Sequence, residues 1–153
     1  MRLWRVVKAK HARDALNGEG ARLYGGRWNE RGTSIVYLSE TLSLAALETF
    51  VHLGPNDSRI PFSAIPVDPP EGIALDVLPA NQLPPNWRAE PPPSETKQIG
   101  TAWARNGATL LLSVPSIIIP GERNFLVNPR HSDFAKLTIG SPIPFGFDGR
   151  MWK

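Results

Sequence analysis

Short apolar runs alternate with polar, turn-rich segments along this chain, and this pattern predicts a protein built largely from strands. The runs are rich in β-branched and aromatic residues, which favour a pleated, half-buried backbone. Pro66 interrupts one of them and predicts an edge strand or a bulge, because proline cannot donate to a strand ladder. The predicted strands are 3–7, 34–38, 61–67, 73–77 and 109–114, with further extended chain at 115–120 and 125–127.

Two segments instead carry apolar residues at helical spacing. One runs from a cap at Ser39 or Thr41 to about Leu53, and the other runs from a cap at Ser94 to a stop at 106–107. One or two helical turns are predicted at 11–16 and a single turn at 132–137. The residues predicted to face inward from the second helix are Ile99, Ala102 and Trp103.

The first of these helices carries a carboxylate inside its apolar stripe. Leu44, Leu47 and Val51 lie at positions i, i+3 and i+7 of one face, and Glu48 lies on the same face. Burying a carboxylate is unfavourable unless it is hydrogen-bonded, paired with a cation or placed at the wall of a cleft. Glu48 is therefore predicted either to form an internal ion pair with an arginine or to belong to a binding site.

A second unusual stretch is 24–29, which reads Tyr-Gly-Gly-Arg-Trp-Asn. The two glycines let a ligand approach the backbone closely, and the guanidinium of Arg27 matches carboxylate or phosphate oxygens in a bidentate way. Two interpretations are open. The stretch is either a tight turn with Arg27 solvated and Trp28 in the core, or a site for an anionic ligand that contains a ring.

Other reactive side chains give weaker patterns. The hydroxyl of Ser116 needs a partner, which is either the backbone or a ligand. A triad of Ser116 with His131 and Asp133 lacks the G-x-S-x-G turn that presents a nucleophilic serine. Glu48 and His52 lie four residues apart on a predicted helix, but two ligands are too few to hold a metal ion. No metal site is predicted.

Composition narrows the classes of function. The 153 residues, 41% of them hydrophobic, predict a single domain, and the absence of cysteine excludes disulfides and thiolate metal sites. The formal net charge of +3 comes without a Lys/Arg cluster, so direct nucleic-acid binding is not expected. No apolar run approaches the ~18 residues of a membrane span, and the first residues lack a signal-peptide core. A cytoplasmic location without membrane contact is therefore expected.

Six short motifs follow one another in an order that is specific as a set, although each is weak alone. The motifs are 3–6 (Leu-Trp-Arg-Val), 25–29 (Gly-Gly-Arg-Trp-Asn), 36–39 (Val-Tyr-Leu-Ser), 46–48 (Ala-Leu-Glu), 114–116 (Val-Pro-Ser) and 124–131. With them the chain resembles the RES domain, named for its arginine, glutamate and serine, over essentially its whole length. RES domains are the toxin halves of RES–Xre toxin–antitoxin pairs.

The resemblance implies a fold and a set of site residues. The expected fold is α+β, a single compact RES domain over 1–153 with an ADP-ribosyltransferase-like split β-sheet and flanking helices. The catalytic residues implied are Arg27, Tyr37, Glu48 and Ser116. The residues implied to contact the bound dinucleotide are Arg5, Gly26, Arg27, Asn29 and Tyr37.

The resemblance also implies an activity. The expected protein is the toxin of a type II pair, which degrades NAD⁺ by cleaving the nicotinamide–ribose bond through phosphorolysis or hydrolysis. NAD⁺ is then the substrate, inorganic phosphate a possible second substrate, and no separate cofactor is needed. The expected partner is an Xre-like helix-turn-helix antitoxin, with the toxin forming a homodimer inside a larger complex. The alternatives are an ADP-ribosyltransferase that modifies a cellular protein and a non-enzymatic basic module that binds nucleic acid.

The implied residues suit that chemistry. Cleavage of the N-glycosidic bond passes through an oxocarbenium-like ribose while nicotinamide leaves as a neutral molecule, so one carboxylate can suffice. Glu48 is expected to stabilise that cation, and Arg27 to bind the pyrophosphate. Tyr37 is expected to stack on nicotinamide or its ribose, and Ser116 to bond a ligand phosphate or the attacking phosphate.

Overall fold

One mixed β-sheet runs through the molecule, and the computed structural model describes all of residues 1–153. Seven strands follow the order β4-β5-β6-β2-β1-β3-β7, and β8 pairs with β3 beside β7. Only β4 and β5 are parallel. The strands are β1 Leu3–Lys8, β2 Val36–Ser39, β3 Phe62–Asp68, β4 Leu75–Val77, β5 Leu111–Pro115, β6 Arg123–Val127, β7 Thr138–Ile139 and β8 Ile143–Phe145.

Three α-helices accompany the sheet, namely α1 Glu19–Tyr24, α2 Leu42–Phe50 and α3 Ser94–Asn106. Thr41 caps α2, because its Oγ1 accepts a hydrogen bond from the Leu44 amide at 3.1 Å. Gly107 ends α3 in the left-handed region at φ 68°, as predicted. Short 3₁₀ segments lie at Ala9–Asp14, Pro55–Asp57, Ala80–Gln82, Ser132–Lys136 and Gly149–Trp152. These elements confirm the predicted α+β fold, and none of the helices has the length and apolar character needed to cross a bilayer.

The two faces of the sheet are covered differently. One face carries a continuous core cluster that includes Leu3, Val36, Ile65 and Leu111. The other face carries two separate clusters: Trp28 and its neighbours pack over β5 and β6, and Ala45 of α2 packs over β1 and β3. Cross-strand partners share a face, so Ser39 of β2 and its partner Asn124 of β6 lie on this divided face. Polar side chains therefore lie at the boundary between the two clusters.

Three predictions about packing are wrong, and each has a physical reason. Val51 is 55% exposed because it follows the last residue of α2 and lies outside the buried face, which Leu44 and Ala45 form. Ala102 is exposed because α3 buries Thr96, Gly100 and Thr101 instead. The helix approaches the backbone of Trp28 so closely that only small or hydrogen-bonding side chains fit.

Pro66 lies in an interior strand and not at an edge, which is the third correction. Its β3 strand pairs with β1 on one side and with β7 and β8 on the other. The Pro66 carbonyl accepts from the Gly140 amide at 2.8 Å, in the gap between β7 and β8. The nitrogen and the carbonyl of a strand residue point towards the same neighbouring strand, so the nitrogen of Pro66 also faces this gap. The absence of an N–H there leaves no carbonyl of β7 or β8 without its donor.

Candidate active site

Glu48 forms the centre of a hydrogen-bonded cluster at the boundary on the divided face. Its Oε1 accepts from Ser116 Oγ at 2.8 Å and from Asn124 Nδ2 at 2.6 Å. No arginine or lysine forms an ion pair with it, so the predicted alternative of an internal ion pair does not hold. Its second oxygen, Oε2, has no protein partner. One carboxylate oxygen is thus held by neutral donors while the other remains available.

Ser116 directly follows β5 and is buried. It donates to Glu48, and its oxygen accepts from the Ile118 amide at 3.1 Å and the Ile119 amide at 3.2 Å. A hydroxyl has one donor and two acceptor positions, so all of its hydrogen-bonding capacity is used. In this arrangement Ser116 orients Glu48, and its predicted contact with a ligand phosphate would require one of these bonds to break.

Tyr37 of β2 holds the glycine-rich turn that precedes it. Its phenol donates to Asn29 Oδ1 at 2.6 Å and accepts from the Trp28 amide at 3.1 Å. Burial raises the pKa of this phenol, which therefore stays protonated at neutral pH. A side chain at Gly26 would place its Cβ 2.6 Å from the Tyr37 oxygen, so the close packing of the turn requires glycine.

Asn29 is completely buried and its side chain is fully used within the protein. Its amide nitrogen donates to the carbonyls of Ala21, Glu30 and Thr33 at 2.9 to 3.2 Å. The amide of Gly26 likewise donates to the Asn29 carbonyl at 3.0 Å. Both residues build the turn that presents Arg27, and their predicted contact with a ligand stays a prediction.

Arg27 is held by the segment 87–90, which precedes α3. Its Nη1 donates to the carbonyls of Trp87 at 3.0 Å and Ala89 at 2.8 Å, and its Nη2 pairs with Glu90 at 2.8 Å. The Arg27 side chain is only 12% exposed. The guanidinium is therefore not solvated, contrary to the simple-turn interpretation. A protein carboxylate, that of Glu90, already lies against one of its edges.

The same loop reaches the Glu48 cluster. The guanidinium of Arg88 stacks on the Trp87 ring with its carbon 4.6 Å from the ring centroid. Its Nη1 lies 3.5 Å from the carbonyl of Ile117, the residue after Ser116. The segment 87–90 thus extends from Arg27 to the turn that orients Glu48. Arg88 was not predicted as a site residue, and a Trp-Arg pair in a proline-rich segment is its one signal in the sequence.

Arg5 supports the sheet from within. It donates from Nη1 to the Tyr37 carbonyl at 2.9 Å, while its Nε is buried without a partner. β1 and β2 pair only at Trp4 and Ser39, so Arg5 supplies a donor to a carbonyl beyond that pair. Burial lowers the pKa of its guanidinium. Its predicted contact with a ligand stays a prediction, and its observed contact is with the backbone of β2.

The structure thus brings the predicted residues into two connected groups. Glu48 and Ser116 are in direct contact, and so are Tyr37, Asn29 and Gly26. Tyr37 and Ser39 lie two residues apart on β2 and link the groups. Two surface depressions, one between β4 and α3 and one lined by Arg105, Arg130 and His131, contain none of the predicted site residues.

Comparison with known proteins identifies the family and agrees with this fold. Residues 2–148 match the model of the RES domain. A protein of Yersinia enterocolitica called Toxin Res is 38% identical over 152 residues, which cover 99% of both chains. A protein of Sphingobium sp. called Prs ADP-ribosylating toxin is 38% identical over 154 residues, covering 97% of this chain and 94% of that protein.

Similarity to a solved structure supports the fold independently. The chain superposes on a chain from the crystal structure of the M. tuberculosis MbcT–MbcA toxin–antitoxin complex with a TM-score of 0.77. The match covers 99% of this chain and 86% of that chain, and the sequences are 19% identical. The sequence matches, which extend over nearly the full length, show that this chain belongs to the RES domain family.

Proposed function

We propose that this protein is the toxin of a toxin–antitoxin pair and that it breaks down NAD⁺ by cleaving the nicotinamide–ribose bond. Relatives named as toxins over their full length support the first part. A relative named as an ADP-ribosylating toxin supports the second, because ADP-ribosylation draws its ADP-ribose from NAD⁺. The observation that carries the proposal is the state of Glu48: two donors hold Oε1, and Oε2 has no protein partner.

One oriented carboxylate suits this reaction. As the bond to nicotinamide breaks, positive charge develops on the ribose, and nicotinamide departs neutral and needs no proton. A carboxylate that is already fixed stabilises this charge without reorganising in the transition state. Glu48 would use Oε2 for the ribose, while Ser116 and Asn124 keep the carboxylate in place.

The arginine-bearing turn would hold the rest of the dinucleotide. Arg27 is presented by the rigid turn that Tyr37 and Asn29 build, and its Nε has no protein partner. We assign the pyrophosphate to this guanidinium, because arginine donors match phosphate oxygens. Arg88, stacked on Trp87, provides a second cation in the loop that holds Arg27. Tyr37 would position the turn through its phenol, whose hydrogen-bonding directions are both used, and the stacking of its ring on nicotinamide or the ribose stays a prediction.

The test is NMR of the purified, antitoxin-free protein with NAD⁺, recorded with and without inorganic phosphate. We expect free nicotinamide to accumulate in at least one of the two conditions. Release that depends on phosphate identifies a phosphorylase, and equal release in both identifies hydrolysis. An absence of nicotinamide in both conditions contradicts the proposed breakdown of free NAD⁺.

A second candidate function is transfer of ADP-ribose to a protein, which the name of the Sphingobium relative favours. The same site, which in this proposal is a cleft between Glu48 and Arg27, would serve, with a protein side chain in place of water or phosphate. Incubation with NAD⁺ labelled in its adenylate part and with cell extract separates the two. Label that remains on protein after denaturation supports the transferase, whereas label found only in small molecules supports breakdown.

For the partner we propose an Xre-like helix-turn-helix antitoxin that covers the cleft, with the toxin as a homodimer in the complex. The structural neighbour was solved as a toxin–antitoxin complex, which supports an antitoxin in general. Co-expression with a candidate antitoxin, followed by light scattering of the purified complex, gives the stoichiometry. An antitoxin that binds the protein yet leaves NAD⁺ turnover unchanged contradicts the covering of the cleft.

A further inference from the structure

Asn124 of β6 and Ser39 of β2 form a hydrogen-bonded chain that ends on Glu48. Ser39 Oγ donates to Asn124 Oδ1 at 2.7 Å, and Asn124 Nδ2 donates to Glu48 Oε1 at 2.6 Å. Ser39 and Asn124 are direct cross-strand partners, so the sheet register itself brings them together. Ser39 is 4% exposed, and its hydroxyl would be costly to bury without such a partner.

The direction of these hydrogen bonds determines which atom of the Asn124 amide faces Glu48. An asparagine amide can place either its oxygen or its nitrogen towards a neighbour, and only the nitrogen can donate to a carboxylate. Because the Ser39 hydroxyl donates to Oδ1, the amide turns its Nδ2 towards Glu48. Without Ser39 the amide could rotate and place an oxygen against the carboxylate, which is repulsive.

We infer that Asn124, oriented by Ser39, is a positioning residue that fixes Glu48 so that Oε2 faces the substrate. Ser116 alone supplies one donor to Oε1, and one hydrogen bond leaves a carboxylate free to rotate about it. The second donor, from a different strand, removes this freedom. This inference rests on the proposed function, because the reaction that Glu48 serves is NAD⁺ cleavage.

The variants that test this inference preserve size while changing hydrogen bonding. Asn124→Asp keeps the volume, removes the donor and places a second carboxylate beside Glu48, so we expect kcat for NAD⁺ to fall by at least about ten- to hundredfold. KM should change less than about twofold, because Glu48 acts in the transition state. Ser39→Ala should lower kcat by a smaller factor, about three- to tenfold, since it removes a neutral bond.

A matched control is Asn86→Asp. Asn86 also donates to a glutamate, Glu95, at 2.6 Å, but this side-chain pair is exposed and forms no hydrogen bond with Glu48, Ser116 or Asn124. Its kcat should stay unchanged. A double-mutant cycle then separates positioning from folding: in the Glu48→Gln background, Asn124→Asp should cause no loss beyond about twofold. A further loss there, or a full kcat in Asn124→Asp alone, overturns the inference.

A readout without turnover separates this inference from the proposed function. In ¹⁵N-labelled protein the side-chain NH₂ resonances of Asn124, assigned by their loss in Asn124→Asp, report the contact directly. We expect them to shift in both Glu48→Gln and Ser39→Ala. Unshifted resonances contradict the chain of bonds even if NAD⁺ is consumed. Shifted resonances in a protein that does not consume NAD⁺ uphold the contact and reject the proposed function.

Discussion

At the residue scale, burial changes the chemistry of Tyr37. Its phenol lies between Asn29 and the Trp28 amide, and burial raises its pKa above the ordinary value of 10.0. In the unfolded chain the phenol ionises near its ordinary pKa, whereas in the folded protein it remains neutral. Its contribution to stability is therefore complete below about pH 10 and is lost as the pH rises further.

The corresponding prediction concerns Tyr37→Phe. At pH 7 the variant should lose about 1 to 2 kcal/mol of unfolding free energy, because two hydrogen bonds disappear. Between pH 9 and about 11 its stability should fall less steeply than that of the wild type. Urea denaturation across this range measures both effects. Tyr24→Phe is the control, since Tyr24 is 76% exposed, and equal alkaline slopes in all three proteins would contradict the interpretation.

A second prediction at this scale concerns Glu90, whose carboxylate pairs with Arg27 at 2.8 Å. Glu90 is 73% exposed, so the pair contributes less than about 1 kcal/mol to stability. Its negative charge nevertheless occupies an edge of the guanidinium that we assign to the substrate pyrophosphate. Glu90→Gln should lower KM for NAD⁺ by up to about fivefold and leave kcat unchanged.

Steady-state kinetics of Glu90→Gln beside Glu71→Gln tests this competition. Glu71 lies in an exposed turn and forms no ion pair, so its variant should match the wild type. A higher KM in Glu90→Gln would show that the carboxylate positions Arg27 and does not compete with the substrate.

At the element scale, α3 is placed by a contact between a glycine and a backbone. A Cβ on Gly100 would lie 1.8 Å from the Trp28 carbonyl oxygen and 2.9 Å from its carbon. Backbone atoms cannot move aside as a flexible side chain can. The helix therefore fixes the position of the turn that carries Arg27.

Gly100→Ala should lower the free energy of unfolding by about 2 to 3 kcal/mol, as overpacking does. It should also raise KM for NAD⁺, because α3 and the turn must separate. Gly20→Ala in α1 is the matched control: nothing lies within 4 Å of its Cβ, and alanine favours helix by about 0.5 to 1 kcal/mol. If both variants were equally stable, the contact would not constrain the helix.

Local patterns predicted most of the elements. Alternating apolar residues indicated strands close to their observed positions, and Thr41 and Gly107 marked helix ends because their chemistry acts within one turn. Helix α1 escaped prediction because Gly18 and Gly20 lower helix propensity. The interior position of Pro66 depends on a gap between two distant strands, which no local pattern reports.

The site was predictable only in part. Glu48 was noticeable because a carboxylate lay on an apolar helix face, and it proved to be hydrogen-bonded by neutral donors. The chemistry of Arg27 and Ser116 left two interpretations of each open, and the resemblance to the RES domain favoured the site interpretation and added Tyr37. Asn124 lies 76 residues from Glu48, and a polar residue in a strand gives no sign of which carboxylate it will meet. The loop holds Arg27 through two backbone carbonyls. The side-chain types in a sequence do not show in which direction a backbone carbonyl will point.

At the scale of the whole molecule, the divided face of the sheet explains where the site lies. Two core clusters cover the two halves of that face, and Glu48, Ser39 and Asn124 lie at their boundary. On the α2 side, Phe50 packs against Phe147 at 5.7 Å between ring centroids, which ties the Glu48 helix to the C-terminal segment. The two halves of the core thus hold the groups to which we assign the proposed reaction.

The central claim is that Glu48 drives cleavage of NAD⁺, and the most direct measurement is nicotinamide release by wild type, Glu48→Gln and the control Glu71→Gln. Glutamine keeps the size of the side chain but lacks the charge that would stabilise the ribose cation. We predict that Glu48→Gln loses at least about a hundredfold in rate, while Glu71→Gln matches the wild type. Equal rates in all three proteins, or no release by the wild type, would contradict the claim.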